Sequence, residues 1–290
     1  SVLNGSPGYV NILDALNGWQ LVRELSEATQ VPAAASFRHL SPAGVAIGLP
    51  LNAAEVSACL LADVPLDEKR PSLSAAYARA RGVERMSAFG DMIALSEKCD
   101  ELTAKIITRE VSDGVVAPDF DSAALSLLVK KKGGNYIVLR IDPQYLPSET
   151  EERRVFGLKL RQKRNNVTIT PSLFTNVVGK HKELPKSAVD DLIVATLAIK
   201  YAQSNSVCIA HRGHVIGLGA GQSSRLHCSR LAGDKAASWY LRLHPRLQSL
   251  PWRPNLRRSE RAAAVDLLAT ARLDQEELEE QLATYFSEPI

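Results

Sequence analysis

PAAASFRHLSPAGVAIG, residues 32–48, is the stretch that decides the fold. Small and apolar residues run up to the cation Arg38 and the imidazole of His39, and a second short apolar run follows after a turn containing Pro and Gly. A run with this ending is typical of a buried strand whose last residues reach the rim of an open α/β sheet, where ligands commonly bind. The stretch therefore predicts an α/β fold with Arg38 and His39 at a candidate site.

Two interpretations of the Arg38–His39 pair are open at this point. Histidine is the side chain that exchanges a proton near neutral pH, so His39 can accept a proton, and Arg38 is available to face developing negative charge. The alternative is a surface cation beside a turn histidine that already has its hydrogen-bond partners. Taken alone, the stretch favours this alternative, because such pairs are common.

Composition narrows the class of protein. The chain has 290 residues, of which 45% are hydrophobic and 23% charged, as in ordinary soluble globular proteins. Its net charge of +3 is too small to indicate a nucleic-acid or membrane partner. The cysteines are scattered without a CxxC pair, which favours a reducing compartment. With neither a long apolar span nor a secretion leader in the sequence, we expect a cytoplasmic protein.

A zinc site is the first alternative chemistry. Cys208, His211, His214, His227 and Cys228 lie close in sequence and superficially resemble a ligand set. However, His211 and His214 flank a two-residue turn, where solvent exposure is expected. The adjacent residues 227 and 228 point to different faces of a helix. We therefore expect no zinc.

A charged segment in the first half carries a second candidate residue. Asp113 follows a predicted helix over residues 102–111, where a carboxylate meets the negative end of the helix dipole. Such a misplaced charge indicates function, but an aspartate that simply suits a turn is equally compatible. The run Lys130-Lys131-Lys132 is explained as complementing the dipole of the preceding helix.

A glycine-rich segment opens a helix in the second half. In GLGAGQSSR, residues 217–225, alternating glycines expose backbone N–H groups where the helix dipole favours an anion, and Arg225 adds a forked donor. The spacing is neither GxGxxG nor a P-loop. Glycines that allow close backbone packing are the alternative, and both interpretations stay open.

Seven segments together resemble one known family. They are FRHLSPAGVAIG (37–48), SAAYARARGVERMSAFGD (74–91), TAKIITREVSDGVVAP (103–118), KKKGGNY (130–136), FGLKLRQKRNN (156–166), DLIVATLAIKYAQSNSVC (191–208) and GLGAGQSSRLHCSRLAGDKA (217–236). From residue 2 to about residue 260, the chain resembles the transformylase domain of the bifunctional AICAR transformylase/IMP cyclohydrolase family.

The resemblance implies a fold and a domain division. It implies two cytidine-deaminase-like α/β/α subdomains at 1–148 and 149–245, the second incomplete, followed by a helical segment at 246–290. The polar, proline-bearing segment 143–152 fits a linker between the subdomains. The deaminase signature H-x-E…PCxxC is absent, so zinc deamination is not expected. In the family, the sites form across an intertwined homodimer, which we expect here too.

The resemblance also implies an activity. It is formyl transfer from 10-formyltetrahydrofolate to the 5-amino group of AICAR ribonucleotide, giving FAICAR in de novo IMP biosynthesis. His39 matches the family's proton acceptor, and Arg38 stands where the family has a lysine that stabilises the transition state. Arginine keeps the charge of lysine but not its compact geometry. The reduced folate is a cosubstrate, and the resemblance allows for a structural monovalent cation.

Further site residues follow from the resemblance alone. The implied contacts to the AICAR nucleotide are Asn11, His39, Gly90, Asp113, Asn205 and Arg225, and Leu226 matches a position that lines the folate pocket. The resemblance thus favours the functional interpretation of Asp113.

The sequence also departs from the family pattern. It lacks the basic, aromatic segment upstream of the first strand, the C-terminal segment that completes the folate and phosphate sites, and the cyclohydrolase domain. The alternative function is therefore a catalytically incomplete fragment that binds nucleotide or dimerises. A nucleic-acid binder is a third possibility, which the modest charge disfavours.

Overall fold

The computed structural model describes residues 1–270 and 274–288. The strands are β1 (Val2–Asn4), β2 (Ala33–Arg38), β3 (Ser41–Ile47), β4 (Asp91–Leu95), β5 (Ser112–Ala117), β6 (Ile137–Arg140), β7 (Thr150–Val155), β8 (Leu158–Lys163), β9 (Ser206–His211) and β10 (His214–Ala220). The helices are α1 (Tyr9–Thr29), α2 (Ala53–Ala58), α3 (Leu73–Gly82), α4 (Glu101–Thr108), α5 (Ser122–Leu128), α6 (Lys186–Lys200), α7 (Arg225–Arg242), α8 (Pro245–Gln248), α9 (Arg258–Thr270) and α10 (Gln275–Tyr285). Short 3₁₀ helices cover Lys131–Gly134 and Pro171–Phe174.

Eight strands form one mixed sheet in the order β1-β6-β5-β4-β2-β3-β10-β9. The β4–β5 and β5–β6 pairings are parallel, and the other pairings in this sheet are antiparallel. Helices cover both faces of the sheet. The fold is therefore α/β, as the sequence predicts, and it continues into a helical segment.

The sheet crosses the predicted linker. Strand β10, from the second half of the chain, pairs with β3 through His214 and Ala46, so both halves share one sheet. The predicted boundaries after residues 148 and 245 stay predictions.

Strand β2 shows why the opening stretch determines the architecture. Ala34 packs into the core on the side of α3, whereas Ala33, Ala35 and Phe37 pack on the side of α1. Because successive side chains of a strand alternate between faces, a strand buried on both sides must be apolar throughout. Burying one large apolar side chain such as Phe37 contributes about 1.5–3 kcal/mol.

The glycines of two close approaches have a packing role. A Cβ on Gly44 would overlap the carbonyl oxygen of Ala80 in α3, and Cβ atoms on Gly217 and Gly219 would overlap carbonyl oxygens of α7. These glycines let a strand and a helix approach more closely than side chains permit. For Gly217 and Gly219 the structure thus supports the packing interpretation left open above.

A protruding hairpin formed by β7 and β8 stands apart from the main sheet. The alternating pattern of residues 156–164 predicts a half-buried strand, but every residue of β7 and β8 is exposed. The prediction of half-burial was wrong, because alternation shows that one face is apolar without showing what covers it. The apolar side chains of this hairpin are Val155, Phe156, Leu158 and Leu160.

Two further expectations need correction. His214 is buried at the start of β10, although a turn position predicts exposure. Its imidazole contacts a buried guanidinium, with 2.9 Å between Arg79 Nη1 and His214 Nδ1, and desolvation lowers the pKa of His214 well below its ordinary value. Asp113 lies within β5 instead of in a turn, since β5 begins one residue earlier, at Ser112.

Among the described helices, none combines the length and apolarity that a bilayer span requires.

Candidate active site

The turn between β2 and β3 presents His39. Arg38 pairs with Ser41, so the turn consists of His39 and Leu40, whose φ angles are 52° and 66°. The sequence had indicated a turn at the Pro and Gly that follow, but these lie inside β3. Positive φ at two consecutive non-glycine residues suits a tight hairpin and costs about 1–3 kcal/mol each, so such residues persist where surrounding contacts hold them.

Helix α1 supplies the contact that holds this turn. Asp14 is buried, and its Oδ1 accepts a hydrogen bond from the backbone N–H of Leu40 at 2.7 Å. Burial raises the pKa of the Asp14 carboxyl, and the backbone hydrogen bonds of Leu40 and His39 oppose this rise. Asp14, which the sequence does not single out, therefore holds in place the turn that exposes His39.

The Arg38 guanidinium is held between His39 and the loop before β4. Its Nη1 donates to the carbonyl oxygen of Ser87 at 3.2 Å and to that of Phe89. Its Nε donates to Nε2 of His39 at 3.3 Å, so this ring nitrogen acts as the acceptor. A positive charge thus lies directly beside the imidazole lone pair.

Gly90 and Asp113 lie side by side at the starts of β4 and β5. Gly90 has φ of 78°, and a Cβ placed on it would lie 3.7 Å from Oδ2 of Asp113. The Asp113 carboxylate forms an ion pair with Lys132, with 2.5 Å between Oδ1 and Nζ. The lysine run, predicted only to complement a helix dipole, therefore supplies a partner for a candidate site residue.

A buried polar layer lies beneath this pair. Ser36 Oγ donates to Asp91 Oδ2 at 2.5 Å, and Ser112 Oγ lies 2.8 Å from the hydroxyl of Tyr136. Within the described residues, the other oxygen of Asp91 has no hydrogen-bond partner. Burial raises the pKa of Asp91 to about 6, against the opposing effect of nearby cations. Desolvation also lowers the pKa of Lys131, whose ammonium lies over the Tyr136 ring, to about 8.

Sequence reasoning missed this layer, although a signal for it was present. Asp91 opens an otherwise apolar strand directly after Gly90, and Ser112 directly precedes Asp113. A charged residue at the entry of a buried strand is unusual enough to mark a position for attention.

Asn205 braces the segment that leads into α7. Its Nδ2 donates to the carbonyl oxygen of Gln222 at 3.1 Å, and the neighbouring Gln203 N–H donates to Ser41 Oγ at 3.3 Å. Arg225 is the first residue of α7 and is exposed, as is Leu226. The Asn205 loop is thus tied to the hairpin that carries His39 and to the start of α7.

The structure brings some of the predicted residues together and leaves others apart. Arg38 and His39 are in contact and line a cleft of about 370 Å³ beside β10 and α7. Arg38 also bonds to the residue before Gly90, which connects the Gly90–Asp113 pair to this turn.

Asn11 accepts a hydrogen bond from the Gly8 N–H at 2.9 Å at the start of α1, one helical turn before Asp14. Within the described ranges, no hydrogen bond joins His39 to Asn11, Asn205 or Arg225.

The described residues contain no cluster of three or more His, Cys, Asp or Glu side chains placed to hold a metal ion. Cys208 and Cys228, considered above for zinc, are free thiols, and Cys228 Sγ contacts the carbonyl oxygen of Asn205 at 3.2 Å.

The candidate site of this α/β protein combines a strained hairpin turn that carries a histidine with a neighbouring carboxylate–lysine pair. Comparison with known proteins gives the family. Residues 1–235 match the family model described as AICARFT/IMPCHase bienzyme. The chain is also 32% identical over 235 residues to the bifunctional purine biosynthesis protein PurH of Xylella fastidiosa (strain 9a5c), covering 80% of this chain and 39% of that protein. The chain belongs to the AICARFT/IMPCHase bienzyme family. It spans about two fifths of the length of this curated relative.

Proposed function

We propose that this chain carries transformylase chemistry: formyl transfer from 10-formyltetrahydrofolate to the 5-amino group of AICAR ribonucleotide, giving FAICAR on the route to IMP. The proposal is supported by family membership over residues 1–235. The observation that carries it is the anchored turn, which places an exposed imidazole beside a fixed guanidinium.

His39 is proposed as the proton acceptor. The amine is a poor nucleophile because its lone pair is delocalised into the heterocycle, so its proton must leave as the new bond forms. The amine nitrogen bonds to the formyl carbon, and Nε2 of His39 takes the amine proton as its long hydrogen bond from Arg38, 3.3 Å, opens. The bond from the formyl carbon to N10 of the folate then breaks, and N10 takes up a proton. No further reactant is needed.

Arg38 is proposed to stabilise the anionic tetrahedral intermediate, the role of the lysine in the family. An oxyanion is stabilised by donors whose positions are set in advance. The hydrogen bonds from Arg38 to the carbonyl oxygens of Ser87 and Phe89 support such a preset position. A lysine ammonium lacks the planar guanidinium, which here directs Nη1 at both carbonyl oxygens and Nε at His39.

The remaining contacts are proposed residue by residue. Asn11, His39, Gly90, Asp113, Asn205 and Arg225 are the proposed nucleotide-binding residues, and Leu226 is proposed to contact the folate. The approach of Gly90 to Asp113 and the loop braced by Asn205 support a shared binding surface. The exposure of Arg225 and Leu226 leaves both side chains available to a ligand.

The assembly and location are part of the same proposal. A homodimer is supported by the fully exposed, partly apolar β7–β8 hairpin. A cytosolic location and a structural monovalent cation are proposed on family membership alone.

A second function is favoured by the length of the match. The chain spans 39% of the length of its curated relative, and the second proposal is that the residues of this chain bind nucleotide or dimerise without turning over substrate. The module and the enzyme share the nucleotide site and differ in turnover.

Calorimetric titration of this chain with AICAR ribonucleotide, followed by a radiolabelled formyl-transfer assay, tests both functions. We expect saturable binding that Arg225→Ala weakens about tenfold, since a charged hydrogen bond is worth about 1.5–3 kcal/mol. Arg70→Ala, at an exposed residue outside both the proposed site and the hairpin, is the matched control and leaves binding unchanged. Binding with turnover supports the enzyme, binding without turnover supports the module, and no binding contradicts both.

A further inference from the structure

Three arginines converge on one buried carboxylate beneath α9. Glu110 lies 2.8 Å from Nη2 of Arg85, 2.8 Å from Nη2 of Arg258 and 3.8 Å from Nε of Arg81. The side chains of Glu110 and Arg81 are 6% and 3% exposed, so neither charge is well solvated. One carboxylate therefore balances three guanidinium groups in a region largely shielded from water.

These arginines retain unused hydrogen-bond donors. Within the described parts of the chain, the Nε atoms of Arg81, Arg85 and Arg258 are buried without a hydrogen-bond partner. Burying a polar group without a partner costs free energy, and burying an unbalanced charge costs more. The cluster lacks negative charge.

A pocket of about 330 Å³ adjoins this cluster. It is lined by Arg81, Arg85, Arg109, Arg257 and Arg258, together with Phe89, Glu110, Val111, Ser259 and Ala262. The Arg109 guanidinium forms a bidentate ion pair with the Asp63 carboxylate, with 2.8 Å from Nη1 to Oδ1 and 2.7 Å from Nη2 to Oδ2, so its charge is balanced. With the carboxylates of Asp63 and Glu110 counted, an excess of three positive charges remains around the pocket.

The start of α9 adds to this positive potential. Ser259 lies in its first turn and lines the pocket, and the N-terminus of a helix favours an anion. Glu260 brings one acid to this turn, where it accepts a hydrogen bond from the Arg257 N–H at 2.7 Å. The side chain of Arg257 stays exposed at the pocket mouth.

We propose that this pocket binds a phosphate-type oxyanion, with a diphosphate group as the preferred ligand. The planar guanidinium fork matches phosphate oxygens in pairs, and the charge excess calls for a ligand with more than one negative charge. Phe89 lines the pocket and directly precedes Gly90, so an anion bound here lies next to the loop of the candidate active site. The assignment goes beyond formyl transfer and does not depend on it.

Calorimetric titration of the chain with inorganic pyrophosphate, at constant ionic strength, tests the assignment. We expect one saturable site with tighter binding than inorganic phosphate. Arg257→Ala should weaken pyrophosphate binding about tenfold, and because this side chain is exposed, the variant should fold normally. Arg70→Ala, at an exposed residue that does not line the pocket, is the matched loss of an arginine and should leave binding unchanged.

A further variant separates this pocket from the candidate nucleotide site. Arg225→Ala should leave pyrophosphate affinity within about twofold, because Arg225 begins α7 and does not line the pocket. The assignment is overturned if pyrophosphate fails to bind, if Arg257→Ala binds it as tightly as the unmodified chain does, or if Arg225→Ala abolishes binding.

Discussion

Asp91 is the buried acid on which the floor of the candidate site depends. Its carboxyl accepts a hydrogen bond from the Ser36 hydroxyl at 2.5 Å. Gly90 precedes it in the chain, and Ser112 is paired with it in the sheet. Desolvation raises its pKa to about 6, although Arg81 and Lys131 oppose the shift. The protonated form is therefore better tolerated in the folded protein than in the unfolded chain.

Replacing Asp91 with Asn should flatten the pH dependence of stability. The folded pKa of about 6 exceeds the unfolded value near 4, so the native state binds the proton more tightly. This stabilisation is fully present below about pH 4 and is lost as the pH rises through about 6. The unmodified chain should lose about 2–3 kcal/mol over this range that Asp91→Asn does not lose.

Urea denaturation at half-unit pH steps between 4 and 7.5 measures this difference. The half-exposed Asp113 provides the control, since Asp113→Asn should retain the slope that depends on Asp91. Parallel stability curves for Asp91→Asn and the unmodified chain would contradict the account of the buried acid.

Among single residues, sequence reasoning found the exposed participants and missed the buried ones. Arg38 and His39 stand out because charge interrupts an apolar run. Asp14 lies inside an amphipathic helix, where an aspartate predicts solvent exposure. Its role depends on a backbone N–H that is 26 residues away in sequence. Contacts of this kind come from tertiary packing and leave no local pattern.

At the scale of elements, the contact between β10 and α7 depends on two glycines. Gly217 and Gly219 lie against the carbonyl oxygens of Ala232 and Cys228, with no space for a methyl group. This approach sets the distance between the edge of the sheet and the helix that begins at Arg225. The glycine-rich segment thus acts on the candidate site through packing.

Gly219→Ala should destabilise the chain by about 3 kcal/mol, because the new methyl group forces α7 away from the sheet. Gly233→Ala in α7 is the matched control. A Cβ at Gly233 meets no atom within 4 Å, so higher helix propensity should stabilise the chain by about 0.5–1 kcal/mol. Denaturant unfolding measures both, and equal effects of the two variants would contradict the packing role.

The elements themselves were largely predictable. Within the predicted helical segment, the sequence pattern indicates a helix over residues 259–271 and a second one that begins with a capping box of Asp274 and Glu277, and the described parts of α9 and α10 agree with this. The capping contact from the Glu277 N–H to Asp274 Oδ1 is 2.9 Å. Residue 271 lies outside the described residues. Local patterns succeed here because caps are set by neighbouring residues.

At the scale of the molecule, the β7–β8 hairpin is the exposed feature that a dimer would cover. Phe156 at its tip is fully exposed, and more than half of Leu158 and Leu160 is accessible to solvent. Apolar side chains grouped on a protruding hairpin mark an interaction surface.

The pairing of strands far apart in sequence, such as β3 with β10, was not predictable from the local sequence pattern.

Phe156→Ser combined with Leu158→Ser should weaken self-association more than about a hundredfold, since each buried apolar side chain contributes about 1.5–3 kcal/mol and both protomers carry the change. Sedimentation equilibrium measures the dissociation constant. Leu241→Ser removes a partly exposed leucine from α7 and should leave self-association unchanged. A monomeric unmodified chain, or a double variant that associates normally, would contradict the dimer.

The central claim is that His39 accepts the amine proton during formyl transfer, and the turnover of His39→Ala in the complete gene product tests it most directly. Since general-base catalysis contributes about 10²–10⁴-fold, we expect kcat to fall at least a hundredfold. His39→Gln serves as the control for lost hydrogen bonding, because an amide can accept a hydrogen bond but cannot take the proton. It should be impaired like His39→Ala. Full turnover without the imidazole would contradict the account.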